Sequence, residues 1–550
     1  MVILERMLNQ RRELKAEINH LHPSMIDRMP VEVAANIFEF YVGDRSFEVR
    51  FGRPPLALQL GAVCQTWRRI AWSTPQVWAF ISMDLSVRPE RISERAVQRY
   101  MTLEQLLSDW IARSGCSPLS IELYSRHCLD DRQAEWILPI IRIVNSLSTR
   151  WKYLELRLPM SVLPRFFVNT GQFNTASLLE EIQIWNTTAI FDLTAASVSL
   201  RGTGPGGGGR VKPAPKKVDL GAVRVKSLDI EWNKVTSLSI SILCMDEVFH
   251  VLRHSPSLVD CSITRLSYLS ENGHLGYIPD RNLPFVHHKL KQLLIKFHDP
   301  EPSSEFFSRV TLPYLEALSC DFKDYTLPTD IFVSFLRRSG LPAEKSVSAG
   351  SMISNPGMHG PNTNLKALSL IHPGFPEDPA ALISICNAVP ALKELSLMPA
   401  TNDEDTSFDL FYGALANDTA SISDEVRQVA PGNTVDSTSL EDSNLNDPEA
   451  LMLLPALETL TCTTHNEDFP WEVIPRFFLP FNGRNPSCCR PLRTLKVCYM
   501  TDTPEPLPFI DTKTLALLHD LIDQNVDLSV LNAHLAGETD MIHYPGSGLR

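Results

Sequence analysis

The residues whose types could do chemistry in this chain are its histidine and cysteine pairs, a glycine-rich run and its paired carboxylates. His287-His288, His20-x-His22 and Cys488-Cys489 bring nitrogen or sulfur donors close together, as a metal centre requires. None has the spacing of a known one, since Cys-x-x-Cys and His-Glu-x-x-His are both absent. Gly202-Thr203-Gly204-Pro205, followed by four more glycines and Arg210, suggests a phosphate cradle. It lacks the closing Gly-Lys-Ser/Thr, and Pro205 removes a backbone donor that such a cradle uses. No Gly-x-Ser-x-Gly elbow occurs. Asp and Glu pairs fall mostly in polar segments, a poor setting for pre-organised acid–base work. Cys64 shares an apolar stripe with Leu60 and Trp67, the position of a packing residue and not of a nucleophile. The residues therefore point to no catalytic, metal or cofactor site, and the chain reads as a non-enzyme.

Composition narrows the remaining classes. The 550 residues are 44% hydrophobic and 21% charged, enough apolar material for a repeat array or two to three domains. Forty prolines between apolar segments imply many short elements. The net charge of −13 is concentrated: residues 401–450 hold twelve Asp or Glu and one base, Arg427. No basic cluster exists to neutralise phosphates, so no nucleic-acid partner is expected. Met1-Val2-Ile3-Leu4 runs directly into Glu5 and Arg6, unlike a secretory signal, and no apolar run approaches eighteen residues. Eleven scattered cysteines fit a reducing compartment. The expectation is an intracellular protein of cytoplasm or nucleus, not secreted and without a membrane partner.

The elements come next. Residues 3–22 read as an amphipathic helix with Met7, Leu14 and Leu21 seven apart and Leu4, Arg11 and Ile18 on the neighbouring seam position, a pattern that allows self-association. Residues 26–80 read as a compact helical unit. Pro30 begins its first helix, Glu32 suits the positive end, and Val33, Ile37 and Phe38 mark an apolar face with Ala34 alongside. A second helix is predicted over 56–69, with Leu60, Val63, Cys64 and Trp67 inward. The segment 43–55 between them reads as a surface loop.

Met29-Pro30, then Val63-Cys64-Gln65-Thr66-Trp67-Arg68, then Val77-Trp78 resemble an F-box. In that family a Leu-Pro opens the first helix, a Val-Cys-x-x-Trp-Arg segment lies in a later one, and a Leu-Trp pair closes the unit. Met29 and Val77 depart from the pattern, and the loop between the halves is longer. The layout is similar to the large F-box family of mushroom-forming fungi. The resemblance covers about 55 residues of 550. It implies a surface for a Skp-type adaptor, and through it a cullin, built from Met29, Pro30, Val33, Ile37, Phe38, Val63, Cys64, Trp67, Arg68 and Trp78.

Beyond residue 88, helices are predicted over 92–113 and 134–147, with a strand over 119–123 between them. From residue 151 one phrase recurs: apolar, two residues, apolar, one residue, apolar. It occurs at Trp151-Leu154-Leu156, Leu179-Ile182-Ile184, Val225-Leu228-Ile230, Leu258-Cys261-Ile263 and Leu290-Leu293-Ile295. It returns at Leu365-Leu368-Leu370, Leu392-Leu395-Leu397, Leu457-Leu460-Cys462 and Leu492-Leu495-Val497, and less completely at Leu315-Leu318. Stacked copies would bury a core that no single copy can bury, as in a leucine-rich-repeat solenoid. Helices are predicted between copies over 241–253, 329–338 and 379–388, and a capping helix over 512–535.

The fold class expected is α/β: a helix at 1–22, an F-box-like unit at 26–80, and an irregular leucine-rich-repeat-like solenoid at 88–550 with inserts at 201–217, 340–362 and 401–449. Trp185 and Trp232 each follow the third apolar position of a copy, so both are expected outward on the strand ladder as a target-binding surface. The function implied is a substrate-recognition subunit linking an unknown target protein to a Skp-cullin-type ubiquitin ligase. A protein-interaction scaffold with no role in ubiquitin transfer is the alternative.

Overall fold

In a computed structural model the chain is a mixed α/β protein whose contacts divide it into two compact units, Met1–Glu231 and Trp232–Arg550. The residues described are 2–21, 28–43, 56–86, 94–125, 131–167, 178–187, 212–225, 228–267, 284–298, 301–323, 325–340, 364–375, 380–399, 406–416, 453–464, 470–478, 490–499, 510, 512–534 and 537–540. The loop 44–55, the glycine run 202–210, residues 341–362 and 417–449, and Cys488-Cys489 lie outside them. Among the described residues no helix is long and apolar enough to cross a membrane.

The first unit opens with α1 (Val2–Leu21) and α2 (Val31–Gly43). The Pro30 carbonyl starts α2, accepting from the amides of Val33 at 3.0 Å and Ala34 at 3.2 Å. Where one helix was expected over 56–69 there are two, α3 (Leu56–Val63) and α4 (Gln65–Ser73). Cys64 divides them: its backbone is extended (φ −157°, ψ 176°) and its Sγ accepts from the Trp67 amide at 3.4 Å, so it acts as an N-cap. A 3₁₀ turn at Pro75–Trp78 leads into β1 (Phe80–Asp84), a strand that sequence reasoning missed. Then follow α5 (Glu94–Ser114), β2 (Leu119–Tyr124), α6 (Asp131–Ser146), β3 (Trp151–Leu158), β4 (Glu181–Asn186) and β5 (Lys217–Gly221).

Strands β1 to β5 pair in chain order, every pair parallel. The register stacks Ile121, Leu154, Ile182 and Val218 in one buried row, and Leu123, Leu156, Ile184 and Leu220 in the next. Apolar positions two apart thus lie on one face of each strand, as the recurring phrase requires. The copy at Val225-Leu228-Ile230 is different. All three side chains are buried, but none lies in a strand, and the Leu228 N–H donates to the Val225 carbonyl at 3.0 Å. Residues 212–217, expected within a loose insert, are instead held by Lys212–Asp229 at 2.7 Å and Lys216–Glu180 at 3.8 Å, and lead into β5.

The second unit contains β6 (Ser237–Ile240), β7 (Leu243–Cys244), α7 (Met245–His254), β8 (Asp260–Ser267), β9 (Phe285–Val286), β10 (Gln292–Phe297), α8 (Glu301–Arg309), β11 (Val310–Thr311) and β12 (Ala317–Asp321). These are followed by α9 (Thr329–Ser339), β13 (Ala367–Ile371), α10 (Ala381–Asn387), β14 (Glu394–Met398), α11 (Thr406–Leu415), β15 (Thr459–Thr464) and β16 (Thr494–Tyr499). The last elements are α12 (Thr512–Asp523), β17 (Asp527–His534) and β18 (Gly537–Asp540). The order β6-β8-β10-β12-β13-β14-β15-β16-β17 is parallel throughout, and β18 closes the edge antiparallel to β17. Cys261, Leu293, Leu318, Leu368, Leu395, Leu460, Leu495 and Leu528 stand in register as one ladder. Behind it Phe297, Phe306, Phe307, Phe322, Phe332 and Phe335 form a fully buried aromatic cluster with ring centroids 4.8–6.5 Å apart.

Two further expectations need correction here. The helix predicted over 512–535 stops at Asp523, because Asn525 is left-handed (φ 65°) and the alternating Leu528 and Val530 then pair as β17. The acidic stretch 401–449 contains α11, which buries Phe408, Phe411, Tyr412 and Leu415. The charge of its surroundings had hidden that apolar face.

Candidate functional site

The F-box-like unit has apolar residues on two sides of α2. Ala34, Phe38 and Val42, spaced by four, face inward and join Leu60, Ile70, Ala71, Val77 and Trp78 in one core. Val33, Ile37, Phe40 and Tyr41 face solvent, Ile37 44% and Phe40 74% exposed. The expected face of Val33, Ile37 and Phe38 is thus divided: Phe38 is core, and the other two are surface. A surface helix of a self-sufficient domain is apolar on one stripe only. Here the second stripe continues onto Val63, 59% exposed at the end of α3, so the prediction that Val63 points inward fails.

Between these residues lies a groove of about 370 Å³ lined by Ile37, Phe38, Tyr41, Gln59, Leu60, Val63 and Trp67. Trp67 is half-buried and packs on Phe38 with centroids 5.0 Å apart, so it forms a wall of the groove. Pro30 is exposed and Met29 half-buried, just before α2. The rest of the motif builds the support. Arg68 Nε donates to the Gly61 carbonyl at 2.8 Å and satisfies the end of α3. Trp78 is fully buried and its Nε1 donates to the Ala71 carbonyl at 2.7 Å. Trp72 and Trp110 meet Trp78 edge-on at 5.0 and 4.8 Å, and the Arg113 guanidinium lies 4.6 Å from the Trp78 ring. The groove therefore stands beside a packed aromatic cluster.

A second surface is the outward face of β1 to β5. In register across it run Ser82, Glu122, Glu155, Gln183 and Asp219, with Asp84, Tyr124, Arg157, Trp185 and Gly221 alongside. Trp185 is outward, as expected. It lies flat over Gly221, where a Cβ would come within 2.2 Å of its ring. Its Nε1 donates to Asp219 at 3.3 Å, and Arg157 sits 5.8 Å from the ring centroid. Arg157 also pairs with Glu155 at 2.5 Å, and Tyr153 O–H donates to the same carboxylate at 2.5 Å. Burial, reinforced by repulsion from Glu155, pushes the Glu122 carboxyl up to about 7, against the smaller opposing pull of the Ser82 hydrogen bond and Arg157. Trp232 is not on this face. It is buried in a 3₁₀ turn at Trp232–Lys234, so its expected outward role is withdrawn.

Of the residues first suspected of chemistry, His287 has a structural role. His287 is buried, its Nδ1 accepting from the amides of Lys289 at 3.3 Å and Leu290 at 3.1 Å. That fixes the proton on Nε2, which donates to the Ser255 carbonyl at 3.0 Å, and burial lowers the ring's pKa. Burial pushes the thiols of Cys261, Cys386 and Cys462 up to about 12, far from a nucleophile's range. Among the described residues no group of three or more His, Cys, Asp or Glu is placed to hold a metal ion. Compared with models of known protein families and with curated proteins, the chain matches none.

Proposed function

We propose that the chain is a substrate-recognition subunit that links a target protein to a Skp-cullin-type ubiquitin ligase. The groove of α2, α3 and Trp67 takes the adaptor. The strand ladder, read as an irregular leucine-rich-repeat-like solenoid, presents the target, with the face around Trp185 as its contact surface. The chain itself transfers nothing: it raises the local concentration of target beside the activated ubiquitin, and other subunits carry the chemistry. One observation carries the reading. Helix α2 is apolar on the side away from its own core, and that stripe runs into Val63, the first residue of the Val-Cys-x-x-Trp-Arg segment. Exposed apolar surface joined to a preformed groove is what a stable partner covers.

The test is co-purification of the full chain with a recombinant Skp-type adaptor. Ile37→Asp and Val63→Asp change exposed positions, so the fold should survive, as near-native thermal unfolding would report. Each is expected to weaken adaptor binding roughly 30-fold or more, the scale of a lost interface hot spot of about 2 kcal/mol. A folded wild-type chain that binds no adaptor sinks the ligase reading and leaves an interaction scaffold.

A further inference from the structure

Among the described residues nothing covers helix α1. Every side chain from Ile3 to Ile18 is exposed, including Ile3, Leu4, Met7, Leu8, Leu14 and Ile18. The helix is twenty residues, about 30 Å at 1.5 Å per residue. Leu4, Met7, Arg11, Leu14, Ile18 and Leu21 follow the alternating three-and-four spacing of a coiled-coil seam, interrupted only by Arg11. The remaining positions are mostly polar, so one apolar stripe stays wet unless a second helix covers it.

We propose that α1 pairs with α1 of a second copy of this chain, antiparallel, with Arg11 of each copy held by Glu17 of the other. Charge selects this orientation. In a parallel pair the seam sets Arg11 against Arg11, two cations at the centre of a short interface. In an antiparallel pair centred between residues 12 and 13, Met7 meets Ile18 and Arg11 meets Leu14, so the two Arg11 side chains lie one layer apart and each has a carboxylate of the other copy beside it. Glu17 of the second copy then stands at the level of residue 8, three residues or about 4.5 Å along the axis from Arg11, on the flank next to the seam. A guanidinium spans that gap, and the twofold axis repeats the pair. Both side chains are exposed in the single chain and therefore within reach of a partner. The short seam makes this a reversible dimer, with a dissociation constant on the order of micromolar.

Light scattering of the full chain over a concentration series tests this. The wild type is expected to rise from 61.8 kDa toward twice that mass. Arg11→Glu and Glu17→Arg are each expected to raise the dissociation constant about tenfold, the cost of losing both symmetry-related charge pairs. The double variant restores it to within about threefold, because the swapped charges meet again only when the helices run antiparallel. Leu14→Lys should give a monomer with unchanged thermal unfolding. A wild type that stays at 61.8 kDa up to about 100 μM overturns the proposal. So does a double variant no better than the singles. Neither result bears on adaptor binding, which uses a different surface.

Discussion

Glu122 holds its proton near neutral pH because it is partly buried on the sheet face beside Glu155. A carboxyl raised from 4.5 to about 7 binds more protons folded than unfolded within that window. The contribution of Glu122 to stability therefore falls as pH rises from 4.5 through 7. Since the group is partly solvated, the slope is modest. The variant Glu122→Gln should flatten it, seen as a thermal midpoint less dependent on pH than that of the wild type. An unchanged slope would mean that Glu122 is ionised throughout. The residue type and its place on a strand were legible in the sequence, but its neighbour was not. Glu155 meets Glu122 only through the β2–β3 register, thirty-three positions away.

At the scale of elements, α3 and α4 meet at Gly61. A Cβ there would sit 2.0 Å from the Trp72 ring, which lies edge-on to Trp78 and under Arg113. Gly61→Ala gains up to about 1 kcal/mol of helix propensity. It must also displace an indole from that stack, an overpacking cost of about 1–3 kcal/mol. With the full propensity gain the net effect should be a loss of up to about 2 kcal/mol in a urea titration. Elements with complete phrases, such as β3, β13, β14 and β15, could be read directly from leucine spacing. Those missed had competing local signals. Lys216-Lys217 made β5 look like the tail of a loop, although both lysines reach Glu180 and Glu181 on the preceding strand side. Cys64 fits an apolar stripe, and only its backbone angles reveal a cap. Spacing also identified Val33, Ala34, Ile37 and Phe38 of α2, without dividing them between core and surface and without Phe40, Tyr41 and Val42. That division depends on where α3 and α4 pack.

In the second unit as a whole, stability is shared between neighbours. Each strand from β12 to β17 gains its backbone hydrogen bonds from the strands on either side, and the leucine ladder is continuous across them. Ending the chain after Thr464 removes β16 to β18 and leaves β15 with an open edge. Such edges recruit other chains. The truncated protein should therefore move largely to the insoluble fraction while the full chain stays soluble. Equal solubility would show that the last three strands are dispensable.

The parallel order also separates chain length from spacing. Glu394 follows Ala367 by 27 positions and Thr459 follows Glu394 by 65, yet both steps are one strand wide and in the same register. Each step across the face is therefore about 4.8 Å, whatever the length of chain spent between strands. Descendants of this gene can lengthen or shorten the connections without moving one face residue relative to the next. What the face recognises and how long its connections grow are then free to evolve as independent characters.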